Sequence, residues 1–284
     1  EVVVFIFFLV SLFSFYFYGS YYEKKFQTSD NINLDYKIRV IGSNISLDRF
    51  YGDINSSLIL EELIKISNPN LDDKTIFIWP EGILPGIFQN ELVKYNELFK
   101  NKFNNNHILA IGINSQNIVD DSNSYFNTFS VYDNELHLLN SYDKINLVPF
   151  GEFLPFENIL SLIGLKTITN NYQSYTKGKL RNIIEIKKEN FSIKILPLIC
   201  YEIIYSGKIF KKPDFDIIIN ISEDGWFGKS IGPKQHFAHS IFRSIESGKY
   251  IVRSANNGTS AIINPIGKIE KSLELNNSGY IDLD

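Results

Sequence analysis

The sequence predicts an α/β protein with mixed sheets faced by helices, and three observations carry that reading. In the first half, short runs rich in Ile, Val and Phe alternate with segments whose apolar residues recur at helical spacing. In the second half, paired apolar runs flank turn residues, as hairpins do. The composition is that of an ordinary globular chain with ample material for a core: 284 residues, 44% hydrophobic, 21% charged, net charge −4. That balance gives no sign of nucleic-acid binding, which leaves a basic excess. No repeat and no low-complexity tract interrupts the pattern.

The first element stands apart. Val2 to Gly19 reads VVVFIFFLVSLFSFYFYG, with Ser11 and Ser14 as its polar entries. At about 1.5 Å per residue it nearly crosses a bilayer core of about 30 Å. Tyr16, Tyr18, Tyr21 and Tyr22, with Lys24-Lys25 after them, resemble an aromatic belt and a charged stop. A secretory signal would have a shorter apolar stretch, a basic start and a small-residue cleavage site. The expected organisation is therefore the end of a transmembrane helix over residues 1–22, a linker over 23–35 and a folded domain over 36–284. Because the chain opens on Glu1 and contains no methionine, it is expected to be a piece of a longer protein. The two lysines weakly favour a cytoplasmic exit.

Within 36–284, Tyr36 to Ile45 alternates as a first strand, and Asp53 to Ile66 places Leu58, Ile59, Leu63 and Ile66 at helical spacing. Thr75 to Trp79 is a buried strand stopped by Pro80, with Glu81 just beyond. Glu91 to Phe103 reads as a helix and Ile108 to Ile113 as a short strand. Tyr125 to Leu139 is a hairpin turning at Asp133-Asn134, and the prolines and glycine of Tyr142 to Pro155 forbid regular structure. Ser161 to Lys179 is a loop. Asn182 to Ile186 and Phe191 to Ile199 are strands around Lys188-Glu189-Asn190. Phe215 to Ile221 is an apolar strand, Lys234 to Ser247 a helix, and Tyr250 to Ser254, Ser260 to Asn264 and Lys268 onward are closing strands.

Three of these strands stop at an ionisable group: Glu81 after IFIWP, Lys144 after LLNSYD and Cys200 after KILPLI. Each has a plainer reading, as an exposed carboxylate, a solvated lysine and a buried core thiol. Together they form an acyl-transfer set, in which a carboxylate takes the thiol proton, the thiolate attacks a carbonyl, and the ammonium stabilises the oxyanion beside the backbone N–H after the cysteine. The reference gap between thiol and carboxyl is roughly 4 pKa units, or about 5.7 kcal/mol. A desolvated Glu81 would narrow it from one side and an ammonium beside the thiol from the other. Trp79 and Pro80 are the expected neighbours of Glu81. Elsewhere, His236 and His239 share one helix face without a third ligand, so no metal is assigned. Arg243 and Glu246 are expected to brace that helix, and Trp226-Phe227 is an aromatic loop suited to substrate or membrane contact. No phosphate-cradling glycine motif implies a nucleotide cofactor.

The stretches IFIWPEGILP, YDKINLVPFGEFLPF, LPLICYE and NISEDGWFGKSIGPKQHFAHSIFRSIESGKYIVRSANNGTSAIINPIGK resemble the carbon–nitrogen hydrolase (nitrilase) superfamily. More narrowly they resemble its membrane branch, the apolipoprotein N-acyltransferases, over about residues 36–270. The resemblance implies a nitrilase-like αββα sandwich on the outer, periplasmic face of a bacterial inner membrane, against the weak lysine signal. It implies Glu81 as general base, Lys144 as oxyanion stabiliser and Cys200 as nucleophile, with Glu152, Tyr201 and Glu202 in support. The implied reaction moves an acyl chain from a phospholipid, through a Cys200 thioester, to the amine of a diacylglyceryl-cysteine at a lipoprotein N-terminus. It implies no cofactor, and membrane attachment suggests a monomer. Two departures stand out: Phe50 and Tyr51 where many relatives have tryptophan, and Glu223 where asparagine is frequent. The alternatives are a nitrilase-type amidase acting on a small C–N substrate, or a non-catalytic lipoprotein-binding membrane protein.

Overall fold

Strands in which both alternating sets of side chains are apolar bury both faces, and such strands form the centre of this fold. In the computed structural model, which describes residues 1–28, 34–52, 55–119, 122–156, 174–188, 191–210 and 214–284, two six-stranded sheets lie face to face. The first runs β12 (Gly279–Leu283), β1 (Lys37–Gly42), β2 (Thr75–Ile78), β3 (His107–Val119), β4 (Ser122–Tyr132), β5 (Leu138–Asp143). The second runs β11 (Ile269–Leu273), β10 (Ser260–Ile263), β9 (Tyr250–Asn256), β8 (Ile217–Glu223), β7 (Phe191–Ile199), β6 (Ile184–Lys188). In each sheet three central strands are parallel, β1–β2–β3 and β7–β8–β9, and the flanking pairs are antiparallel.

The alternation sorts side chains between layers. Ile38, Ile76, Ile78 and Ile108 of the first sheet meet Ile195, Ile217, Ile219 and Val252 of the second in the core between them. The opposite phase, Phe77, Trp79, Leu109 and Ile111, packs outward against α2 (Ser56–Ser67). On the far side, Leu196, Leu198, Ile218 and Ile251 pack outward near Phe237 and Ile241 of the helix Gly232–Ser247. The layers are therefore α, β, β, α. Asn55 starts α2 by accepting from Ser57 N at 2.9 Å, and Asn68 ends it in the left-handed region.

The apolar N-terminal run is a helix, α1 (Val2–Gln27), long and apolar enough to cross a membrane, with none of its residues buried. It continues past residue 22 into the stretch expected to be linker. Other boundaries moved as well. The helix expected over Glu91 to Phe103 is a 3-10 turn (Leu92–Tyr95) and one α turn, α3 (Asn96–Phe99), because Asn101 adopts φ 67 and turns the chain left-handed. The hairpin turn covers 133–137, where the Asp133 carboxylate accepts from Glu135 N and His137 N, both at 2.9 Å. β3 extends to Val119 and pairs with β4 as a longer hairpin. The chain after Lys268 splits between sheets, β11 staying in the second and β12 crossing to pair with β1. The loop expected over Ser161 to Lys179 lies largely outside the described residues, as does most of the Lys188-Glu189-Asn190 turn. The helix Gly232–Ser247, here α4, opens with Pro233 in its first turn and closes at Gly248 with φ 63.

Candidate active site

The three expected residues leave the C-terminal ends of β2, β5 and β7 and line one cavity of about 340 Å³, together with Glu152, Trp226 and Phe227. Strand ends of an α/β sheet are where such fissures open. Glu81 follows Pro80, and Gly82 takes φ 55, a conformation that favours glycine. Gly112 of β3 lies directly against this corner, where a Cβ would sit 2.5 Å from Glu81 Cα. Lys144 follows β5, its N–H donating to Asn127 O of β4 at 2.9 Å. Cys200 follows β7 with φ 47, which costs a non-glycine residue about 1–3 kcal/mol and is sustained by the surrounding packing.

Lys144 is 1% exposed and its Nζ donates to Glu152 Oε1 at 2.9 Å and to Glu81 Oε1 at 3.1 Å. Asn127 Nδ2 donates to the same two oxygens, at 2.8 and 2.7 Å. The other oxygen of Glu81 accepts from Glu223 N at 2.9 Å, and that of Glu152 from Val148 N at 2.9 Å. Burial alone would lower the pKa of Lys144, but Glu152 and Glu81 hold it well above its ordinary value, so it stays an ammonium. The Cys200 thiol moves up: burial and the Glu81 charge outweigh the pull of Lys144. This corrects the expectation that the ammonium would set the thiol low. Trp79 also differs from expectation. Strand alternation sends its ring to the outer layer, where Nε1 donates to Ser67 Oγ at 2.9 Å, and the carboxylate of Glu81 is enclosed instead by Lys144, Asn127 and the Glu223 amide.

Glu202 is fully buried and ties the cysteine turn to the lysine loop. Its Oε1 accepts from Tyr142 Oη at 2.7 Å, Ile145 N at 3.0 Å, Asn146 N at 3.1 Å and Arg181 Nη2 at 2.8 Å, while Oε2 accepts from Ile199 N at 3.0 Å. Tyr201 lines the cavity beside Cys200. At the mouth the Phe50 and Trp226 rings meet with centroids 4.9 Å apart, and Phe227 is 37% exposed. Behind them Arg49 pairs with Glu223, whose carboxylate also accepts from Asn256 Nδ2 at 2.7 Å and Gly225 N at 2.8 Å. His236 is buried, whereas His239, one turn on, is half-buried. Arg243 does pair with Glu246, which also accepts from Gly207 N at 2.6 Å and so braces α4 against the loop after the cysteine turn.

The carbon-nitrogen hydrolase family model matches residues 66–284. The chain belongs to the carbon–nitrogen hydrolase family. Relatives named apolipoprotein N-acyltransferase include that of Rickettsia prowazekii (strain Madrid E), 37% identical over 75% of this chain and 42% of that protein. That of Wigglesworthia glossinidia brevipalpis is 34% identical over 95% of this chain and 52% of that protein. The chain thus spans about half the length of the curated relatives it matches. Among solved structures, a CN-hydrolase superfamily protein from Xanthomonas campestris superposes with TM-score 0.57 at 14% identity, covering 88% of this chain and 90% of that one. The amidase from Nesterenkonia sp. AN1, as a double mutant, also gives 0.57, at 12% identity over 90% and 93%. At those identities the two structures speak to the carbon–nitrogen hydrolase fold alone.

Sequence reasoning missed Asn127, Arg49 and the backbone role of Glu223. Asn127 sits in the alternating run YFNTFSVY, where a polar residue reads as solvent-facing. Its signal was the phase: the neighbours in its phase, Phe129 and Val131, belong to the core between the sheets.

Proposed function

We propose that this chain is the catalytic part of an N-acyltransferase that works through a Glu81-Lys144-Cys200 triad and a Cys200 thioester. The observation that carries the reading is the convergence of a buried carboxylate, ammonium and thiol on one cavity whose mouth is aromatic and partly exposed. The names of the relatives and the apolar helix α1 support transfer at a membrane over hydrolysis in solution. On this reading residues 1–27 are membrane-embedded, 36–284 form the catalytic domain, and that domain lies on the outer face of a bacterial inner membrane.

The Cys200 S–H proton passes to Glu81 as sulfur attacks the ester carbonyl of a phospholipid. Lys144 and the Tyr201 N–H stabilise the oxyanion. The ester C–O bond breaks, the departing alkoxide takes the proton from Glu81, and a lysophospholipid leaves. In the second half the amine of a diacylglyceryl-cysteine attacks the thioester and gives a proton to Glu81. The C–S bond breaks and the thiolate recovers that proton. A thiol held high is suited to this order, because it stays protonated until substrate is seated and Glu81 can act as a general base in the attack itself. Glu152 fixes the Lys144 ammonium, Glu202 fixes the cysteine turn, and Tyr201 lines the cavity beside the nucleophile. Trp226 and Phe227 offer an apolar wall to the acyl chain.

The test supplies full-length protein in membranes with phospholipid and a diacylglyceryl-cysteine peptide and follows the peptide by mass spectrometry. An N-acylated peptide supports the proposal. Hydrolysis of small amides without transfer would make the protein an amidase.

A further inference from the structure

We propose that His236 is a positioning residue for the nucleophile, holding the carbonyl of Cys200 so that the cysteine turn keeps its strained backbone and presents the Tyr201 N–H to the reacting carbonyl. The inference rests on the reading of Cys200 as nucleophile. It starts from the only buried histidine among those on α4, which the mechanism above does not use.

His236 Nε2 lies 3.1 Å from Cys200 O. A carbonyl oxygen only accepts, so Nε2 carries a hydrogen and donates it. The other ring nitrogen lies 3.0 Å from Asp224 Oδ1. Asp224 is fully buried, and although burial pushes its carboxyl up, Arg253 and His236 hold it at about 2, so Nδ1 sits against an Asp224–Arg253 ion pair, 3.3 Å from Arg253 Nη2. Asp224 is itself fixed by Arg253 Nη2 at 2.8 and 2.9 Å and by Ser222 Oγ at 2.7 Å. Gly258 leaves no room on its other side, since a Cβ there would overlap Asp224 Oδ2. A chain of rigid contacts thus runs from β9 through Asp224 and His236 to the backbone of Cys200. The same ring lies 5.4 Å from the Phe227 ring, directly behind the cavity wall.

The consequence follows from peptide geometry. A trans peptide points its C=O and its N–H in opposite directions, and among the described residues there is no cis peptide bond. Fixing Cys200 O on His236 therefore fixes the Tyr201 N–H away from His236. Cys200 opens the 3-10 turn Cys200–Ile204, so the amides at its start lack partners within the turn, and of these the Tyr201 N–H is assigned to the oxyanion. Without the histidine, Cys200 loses one restraint on φ 47, and the thiol and the amide lose their common frame.

Glutamine and asparagine separate this role from bulk packing, because the amide nitrogen of glutamine reaches the place of Nε2 and that of asparagine reaches only the place of Nδ1. Cys200 is the only cysteine in the 284-residue sequence, so its alkylation by iodoacetamide reads the nucleophile without any acyl substrate. The expected result is a rate near wild type for His236→Gln and a rate about tenfold or more lower for His236→Asn and His236→Ala, the order of loss that a misplaced reacting group brings. Thermal unfolding is measured alongside. Equal rates in all three variants, or a loss in His236→Gln as large as in His236→Ala, would overturn the role. If only His236→Gln folds, its rate decides alone: near wild type supports the role, and a tenfold loss (about 1.4 kcal/mol) ends it. The transferase reading is judged separately, by acylation of wild-type Cys200 with phospholipid. If that fails while glutamine and asparagine still differ, the positioning role stands and the acyl donor was wrong.

Discussion

Lys144 owes its charge in the interior to Glu81 and Glu152, whose oxygens lie 3.1 and 2.9 Å from its Nζ. Removing one partner from such a cluster leaves buried like charges facing each other, so Lys144→Met is expected to lose about 3–5 kcal/mol in urea unfolding, as well as activity. The pH dependence follows from the shifts. Lys144 is held above 10.5, so its contribution is complete below that value and is lost as pH rises through the folded pKa. Cys200 is held above 9.0, so the native state keeps its proton more tightly than the unfolded chain does, and stability falls as pH passes that value. Unfolding free energy should decline above about pH 9, and Cys200→Ala should abolish the first part of that decline. On the acid side Asp224, lowered from 3.8 to about 2, contributes stability that disappears as pH falls between those values. Glu81 and Cys200 stood out in the sequence because each follows an apolar strand that stops abruptly, whereas Lys144 follows β5, LLNSYD, whose leucines are exposed, and was marked only by its place after a hairpin. The pKa directions of Lys144 and Cys200 were not legible there, since burial and the carboxylates of Glu81 and Glu152 decide them and neither is a property of spacing.

At the scale of elements, two segments distant in sequence form the rim of the cavity, the one carrying Arg49-Phe50 and the one carrying Glu223-Trp226. The Arg49–Glu223 pair joins them and, through the Glu223 amide, reaches Glu81. Arg49→Met strands a buried carboxylate and is expected to cost about 3 kcal/mol or more. Adding Glu223→Gln, which keeps an acceptor for Gly225 N without the charge, should recover most of that loss in the same denaturant titration. No recovery would mean that packing by Arg49, whose guanidinium lies 4.4 Å from the Phe50 ring centroid, outweighs its charge. Sequence periodicity located the central strands because both of their faces are apolar. It misread Glu91 to Phe103, where Leu92, Phe99 and Phe103 are buried but Asn101, at φ 67, ends the helix before Phe103. It also could not foresee that β12 would leave its neighbour β11 for the other sheet, a choice made by pairing with β1.

At the scale of the molecule, α1 shows no buried residue, yet Phe26 near its end packs beside Tyr250, with ring centroids 6.4 Å apart. A helix that leaves its apolar surface uncovered has a bilayer as its natural partner. The 284-residue chain should therefore stay with vesicles through an alkaline carbonate wash, and deletion of residues 1–27 should release it. Retention after deletion would assign membrane binding to the aromatic rim of the cavity. The central claim is that Cys200 carries the acyl chain between two substrates, and intact-mass spectrometry of membrane-embedded protein incubated with phospholipid alone tests it most directly. The account predicts a hydroxylamine-sensitive acyl group on Cys200 that is absent in Cys200→Ala, strongly diminished in Glu81→Gln, and discharged when a diacylglyceryl-cysteine peptide is added. A Cys200 that stays unmodified with phospholipid present would contradict it.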